Sequence, residues 1–301
     1  MFEEGQLYSP VSAKDGQVTV HLADDHPGAG DAAYQARRNE IAALALAWKP
    51  GEPAPPVRYS DAEQEVWRTV ARELAPKHDQ LAISEFLHAK AALDLPTDAV
   101  PSLDLVSDRL RPLTGFHYAP AAGLVPLRDF YGSLSHRLFH STQYVRHEAS
   151  PLYTPEPDII HEVVGHGHLL ATPTFSELHR LTGEATNRLG DDENLRFLSR
   201  VFWFTVEFGV VVEHGELKAY GAGILSSYGE IDEFREMEHR PLDVVEMGTA
   251  DYDITHYQPV LYRAESLDEV REVLGDFLRS CTDESIAELR AQGAPGRRAA
   301  A

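Results

Sequence analysis

The stretch Val201-Phe202-Trp203-Phe204-Thr205-Val206-Glu207-Phe208-Gly209-Val210-Val211-Val212 places one carboxylate inside an almost continuous apolar run. At about 100° per residue, a helix through this run is apolar on every side, so burial is expected. A buried carboxylate costs several kcal/mol unless a cation or a metal faces it. Something positive is therefore expected opposite Glu207.

Upstream, Asp158-Ile159-Ile160-His161-Glu162-Val163-Val164-Gly165-His166 supplies two histidines. Two imidazoles and one carboxylate, with the remaining positions open, make the facial triad of non-haem Fe(II) sites. The spacing is awkward. Residues five apart on an ideal α-helix lie about 140° apart, so His161 and His166 share an ion only if the helix is distorted, which Gly165 could allow. A His-Glu-x-x-His zinc motif is excluded, because the position four after His161 is Gly165. On spacing alone, two readings stand: His161 and His166 are metal ligands, or they and His168 are partly buried histidines held by hydrogen bonds. Glu207 favours the metal. Arg146 has the planar fork that captures a carboxylate, and a surface salt bridge is the alternative use.

Composition narrows the classes. Among 301 residues, Lys and Arg number 27 against 48 Asp and Glu, a net charge of −21. This argues against binding to nucleic-acid phosphates or to an anionic membrane surface. The apolar fraction of 43% allows a sizeable core. The single cysteine, Cys281, permits no intrachain disulfide, and a cytoplasmic location is expected. Met1-Phe2-Glu3-Glu4-Gly5 does not resemble a signal peptide. No apolar stretch approaches the ~20 residues of a membrane span.

The pattern predicts a mostly α-helical domain with a few short strands, and no internal repeat. Residues 1–30 read as a loosely attached arm, 31–285 as the catalytic domain, and 286–301 as a disordered tail. Helices are expected over 31–48, from a Ser60 cap through Leu74, and over 81–93, 103–110, 174–188, 193–213 and 267–279. Strands are expected at 138–146 and 217–220. Pro50-Gly51-Glu52-Pro53-Ala54-Pro55-Pro56 is a domain linker or a rigid crossing within one domain.

Several segments carry a family resemblance: Arg128-Asp129-Phe130, Phe139 through His147, Tyr153 through Asp158, His161-Glu162 through His166, Trp203 through Gly209, Lys218 through Gly223, and Ser226-Ser227 with Gly229-Glu230. In this order they resemble the pterin-dependent aromatic amino acid hydroxylases, most closely the short bacterial phenylalanine hydroxylases. The resemblance runs from about 115 to 266. It implies a single catalytic domain with Fe(II) held by His161, His166 and Glu207, and a tetrahydropterin such as tetrahydrobiopterin that supplies two electrons for O2. It implies that Phe130 stacks on the pterin, that Glu162 faces its ring, and that Val125 and Leu127 line the same slot. Arg146 would hold the carboxylate of an aromatic amino acid, with Thr154, Ser226 and Glu230 at the amino acid end. Trp203 and Phe208 would shape the aromatic pocket. The length is too short for the regulatory domain and tetramerisation helix of the animal enzymes, so a monomer is expected.

The chain departs from the family pattern at several positions. Gly167-His168 stands where Val-Pro is common, Phe202 where a Tyr is expected, and Leu127 where a polar residue is expected. Ile254, aliphatic where tyrosine-specific members are acidic, favours phenylalanine or tryptophan. The implied reaction is ring hydroxylation of L-phenylalanine, by default to L-tyrosine, with meta-hydroxylation and tryptophan as alternatives. A catalytically silent metal- or ligand-binding domain is the alternative from another class, and product formation separates the two.

Overall fold

The computed structural model describes residues 9–14, 16–253 and 256–293. Its helices start on side chains that the sequence supplies. Asp31 accepts from the backbone N–H groups of Ala33 and Tyr34 and caps Ala32–Ala47. Ser60 and Glu63 form a reciprocal capping box on Asp61–Leu81. Ser102, Thr172, Asp191 and Ser266 cap Leu103–Thr114, Pro173–Arg188, Asp192–Phe202 and Leu267–Ser280. Each cap satisfies N–H groups that a helix start leaves without partners. The expected helices are thus present. Their apolar faces meet in one core that includes Leu74, Phe86, Phe116, Phe139, Phe175 and Phe197.

The expected helix over 193–213 does not run that far. It is α-helical through Phe202, continues as a π-helix over Trp203–Glu207, and gives way to a strand, Val210–Glu213. Three consecutive valines are stiff at χ1 and suit a pleated strand better than a helix. This strand is central in a four-stranded sheet. It pairs antiparallel with Glu216–Ala219 (Val210 opposite Ala219) and parallel with Val260–Ala264 (Val210 opposite Arg263). Glu238–Pro241 completes the sheet beside Val260–Ala264. The expected strand at 138–146 is shorter, Leu138–Ser141, and pairs parallel with His117–Pro120.

The two ends are more ordered than their composition suggests. Within the expected arm, Val11–Lys14 and Gln17–Val20 form a hairpin. It is tied to the first helix by Val20 N–H to Asn39 Oδ1 at 2.7 Å and Gln35 Nε2 to Val20 O at 2.7 Å. Within the expected tail, Asp283–Gly293 is a helix with Ile286 fully buried; residues 294–301 lie outside the described residues. The proline-rich segment is a crossing inside one domain, held by Ala54 N–H to Asp104 Oδ1 and Gln143 Nε2 to the Pro55 carbonyl. Among the described residues, no helix is long and apolar enough to cross a membrane.

Gly165 fixes how the histidine segment docks. It lies in a π-helix, His161–Gly167, against the short helix Ala222–Ser226, and a Cβ on it would meet the Ala222 carbonyl oxygen at 2.6 Å. Backbone cannot yield as a flexible side chain can. Gly165→Ala is expected to lower stability by about 1–3 kcal/mol, read from the urea unfolding midpoint. An unchanged midpoint would show that this contact is not tight.

Candidate metal centre and active site

The two histidines meet because their segment is a π-helix. There each N–H bonds to the carbonyl five residues back, so residues five apart stack where an α-helix would splay them. The rings of His161 and His166 are 4.9 Å apart. A second π-helix, closed by Phe208 N–H to the Trp203 carbonyl, presents Glu207 to them. Glu207 Oε1 lies 2.9 Å from His166 Nε2, and Oε2 lies 3.7 Å from His161 Nε2. Sequence spacing concealed this meeting, and two local helix defects produce it.

The electrostatics of the trio suit a cation. Burial lowers His161 to about 4, against the opposing pull of Glu207. Burial also lowers His166 to about 3. Both rings are neutral near pH 7, with a lone pair to offer. Burial pushes the Glu207 carboxyl upward, and His161 and His179 pull it back. Two neutral imidazoles around a buried carboxylate leave negative charge uncompensated, which a divalent ion would offset.

Glu162 is a second carboxyl at the same place. One ligand atom each of His161, Glu162 and His166 lies within 4.8 Å of the others. The choice between the two carboxyls follows from charge. Burial and then the Glu207 charge push the Glu162 carboxyl well above its usual range, while a backbone N–H of Thr142 acts the other way. Two such close buried groups do not both ionise readily. Glu207 lies nearer the two Nε2 atoms and would be the ligand, with Glu162, its carboxyl pushed upward by burial, beside the site.

Surrounding groups hold the trio. Ser226 Oγ donates to the Ala222 carbonyl at 2.8 Å and lies 2.8 Å from His161 Nδ1. Its oxygen therefore accepts the Nδ1 proton, which leaves Nε2 bare, the tautomer a metal needs. Ser226, expected at the amino acid end, thus has its hydroxyl against His161. Asp158, fully buried, accepts from Arg146 Nε at 3.0 Å and Nη2 at 2.8 Å. It also accepts from the Arg146 backbone N–H at 2.9 Å and the His161 backbone N–H at 3.2 Å. Arg146 is thus neither on the surface nor wholly free. A guanidinium has five N–H donors, and Asp158 takes the Nε/Nη2 edge, which leaves the Nη1/Nη2 edge.

The other expected site residues fall into two groups. Phe130, on the helix Leu127–Leu134, meets Phe139 edge-on at 5.4 Å, and Phe139 leans on His166 at 4.8 Å. Val125 and Leu127 are half-buried on the same segment. Trp203 stacks on Tyr252 at 4.3 Å, contacts Phe208 at 4.6 Å, and donates Nε1–H to Gln258 Oε1 at 3.1 Å. The Gln258 backbone N–H reaches Glu230 Oε1 at 3.4 Å, and burial lifts the Glu230 carboxyl to about 7. Thr154 spends its hydroxyl within its own loop, donating to the Glu156 carbonyl at 2.8 Å. Sequence reasoning missed Tyr252 and Gln258 as parts of this wall, since neither lies in a periodic segment. Ile254 lies outside the described residues.

Comparison with known proteins agrees with this geometry. Residues 12–286 match the family described as biopterin-dependent aromatic amino acid hydroxylase. A phenylalanine 3-hydroxylase of Streptomyces coeruleorubidus is 49% identical over 264 residues, 88% of this chain and 95% of that protein. A phenylalanine-4-hydroxylase of Bos taurus is 40% identical, covering 86% of this chain but 58% of the animal protein. The chain thus spans little more than half of that animal relative. The Chromobacterium violaceum phenylalanine hydroxylase, solved with iron(III) and 7,8-dihydrobiopterin, superposes with a TM-score of 0.69 at 27% identity, over 77% of this chain and 87% of that one. The chain belongs to the biopterin-dependent aromatic amino acid hydroxylase family, and is a pterin-dependent aromatic amino acid hydroxylase.

Five histidines held below their ordinary value make the fold sensitive to acid. His78, His166 and His179 are lowered to about 3, and His161 and His168 to about 4, from an ordinary 6.5, chiefly by burial. Their folded values lie below the unfolded one, so the unfolded chain binds more protons between these limits. The contribution of these histidines is full above pH 6.5 and is lost as pH drops toward 4, offset in part by Glu162, Glu207 and Glu230, whose raised carboxyls bind protons in the folded chain over the same window. Each proton adds up to about 1.4 kcal/mol per pH unit to the slope. Metal-free urea unfolding between pH 7.5 and 4.5 checks this, and a flat profile would contradict it.

Proposed function

We propose that the protein is an Fe(II)- and tetrahydropterin-dependent monooxygenase that hydroxylates the ring of L-phenylalanine. The observation that carries this reading is the meeting of two neutral imidazoles and a buried carboxylate beside a buried arginine with donors to spare. The bound iron and pterin would supply the activation of O2 by two electrons; one oxygen atom enters the ring and the other is reduced. His161, His166 and Glu207 would hold the iron on one face and leave the other positions open.

The chain's own groups bind and orient the reactants. Arg146, aimed by Asp158, offers its Nη1/Nη2 edge to the amino acid carboxylate in a site where water competes poorly. Phe130 offers a flat face for the pterin, and the Glu162 carboxyl can hydrogen-bond its ring nitrogens. Val125 and Leu127 line the same side. Trp203 and Phe208 wall the aromatic ring, and Glu230 stands at the amino acid end, with Thr154 at the loop that closes it.

Ring position is read from likeness. The 49% identity to a phenylalanine 3-hydroxylase, along nearly its whole length, favours C3 and therefore meta-tyrosine. Hydroxylation at C4, the default expectation from the sequence, is the alternative, supported by the more distant 4-hydroxylases.

Two measurements test the reading. With Fe(II), a tetrahydropterin and phenylalanine, chromatography should resolve meta-tyrosine as the main product, and Glu207→Ala should lose the metal and nearly all turnover. Para-tyrosine would overturn the ring position, and no hydroxylated product from a metal-loaded protein would favour a silent binding domain. Separately, Arg146→Lys should lose about 2–5 kcal/mol in kcat/KM for phenylalanine. It should lose little for an analogue without the carboxylate. Equal losses on both would make Arg146 a support of the fold through Asp158. Phe130→Ala should raise the KM of the pterin more than that of phenylalanine.

A further inference from the structure

Two buried imidazole nitrogens next to the trio lack hydrogen-bond partners among the described residues: His166 Nδ1 and His179 Nε2. His166 is 2% exposed and His179 fully buried, so neither finds bulk water. Such atoms are rare in folded proteins and call for an explanation. The two rings are neighbours, with centres 5.8 Å apart and planes at 87°. A hydrogen bond, or one bridging water, spans such a gap.

Their proton bookkeeping is complementary only in one state. His179 Nδ1 lies 2.7 Å from the Phe175 carbonyl, which can only accept, so Nδ1 carries the hydrogen and Nε2 is a bare lone pair. His166 Nε2 lies 2.9 Å from the Glu207 carboxylate, which also only accepts. With no metal, the His166 proton sits on Nε2, and Nδ1 is a second bare lone pair, on the neighbouring ring. A metal on Nε2 reverses this. The ring must then carry its hydrogen on Nδ1, and His179 Nε2 is the acceptor at hand.

We propose that His179 is a positioning residue for the metal: its Nε2 accepts the His166 Nδ1 proton, directly or through one water, when His166 ligates the ion through Nε2. His166 thereby gains the kind of outer partner that Ser226 gives His161. The pairing fixes the tautomer, orients the ring and raises its basicity. It rests on the metal reading of the trio and adds a residue outside the ligand set. The other rings against His179 are those of Phe116, Phe139 and Phe202, which offer Nε2 no strong donor, and the Glu207 carboxylate, which also acts on it, offers none.

The test is zinc(II) titration of the wild type, His179→Leu and His179→Gln, with calorimetry for Kd and ¹⁵N-histidine NMR of the zinc-loaded proteins. A leucine suits the apolar surroundings, and the Phe175 carbonyl lies one turn back in the same helix, so the fold should persist. His179→Leu is expected to weaken zinc about 10- to 100-fold. The His166 Nδ1 proton should move upfield. In His179→Gln the longer amide brings an oxygen near the Nε2 position, and both affinity and resonance should largely return. Should His179→Leu fail to fold, His179→Gln against His179→Asn carries the test, because the shorter amide cannot reach. Wild-type affinity and an unmoved resonance in His179→Leu or His179→Asn would overturn the pairing while leaving the metal site intact. A wild type that binds no zinc would overturn the metal reading, and the pairing with it.

Discussion

The buried carboxylate of Glu207 is the constraint around which the site is arranged. It sits at the end of an apolar helix, and its contacts are two imidazoles that burial keeps neutral. Neutral rings orient a carboxylate but do not discharge it. A largely buried carboxylate beside two neutral rings with lone pairs leaves a negative charge uncompensated, which a cation would offset. The two π-helices serve the same end. Each costs regular hydrogen bonding at a place where a side chain must be re-aimed.

Asp158 extends this logic outward. One carboxylate accepts from both ends of the apparatus, the Arg146 guanidinium on one side and the His161 backbone on the other. An arginine that would be mobile on a surface becomes a fixed fork. The Arg146 guanidinium and the start of the histidine segment are thereby set in one frame, as the proposed reaction would need if Arg146 holds the amino acid and His161 the metal. Gln258 likewise joins Trp203 to Glu230, so these two side chains are held as one unit.

The N-terminal segment belongs to this frame more than its composition suggests. His26 and Arg38 both reach Glu156, a buried residue of the loop that leads into Asp158. Arg38 also lies over the Tyr144 ring at 3.4 Å. The first helix and its hairpin therefore brace the loop that presents Arg146 and Asp158.

By itself, the sequence determined the helices with strong caps and periodic apolar faces, because capping and amphipathicity are local properties. It also determined that Glu207 needs a positive partner, since an apolar run around one carboxylate leaves no other inexpensive arrangement. It identified the two histidines but not how they could meet, because ideal α geometry separates residues five apart. The π-helix that brings them together docks Gly165 against Ala222, a contact that no window of sequence contains. The strand at Val210–Glu213 was hidden for a related reason: an all-apolar run reads as helix or strand alike, and only its partners at 216–219 and 260–264 decide. Tertiary structure alone decided that Ser226 serves His161, that Asp158 aims Arg146, and that His179 stands beside His166. Each of these joins residues far apart in the chain, or side chains whose direction depends on how the elements pack, and such contacts have no signature in local pattern.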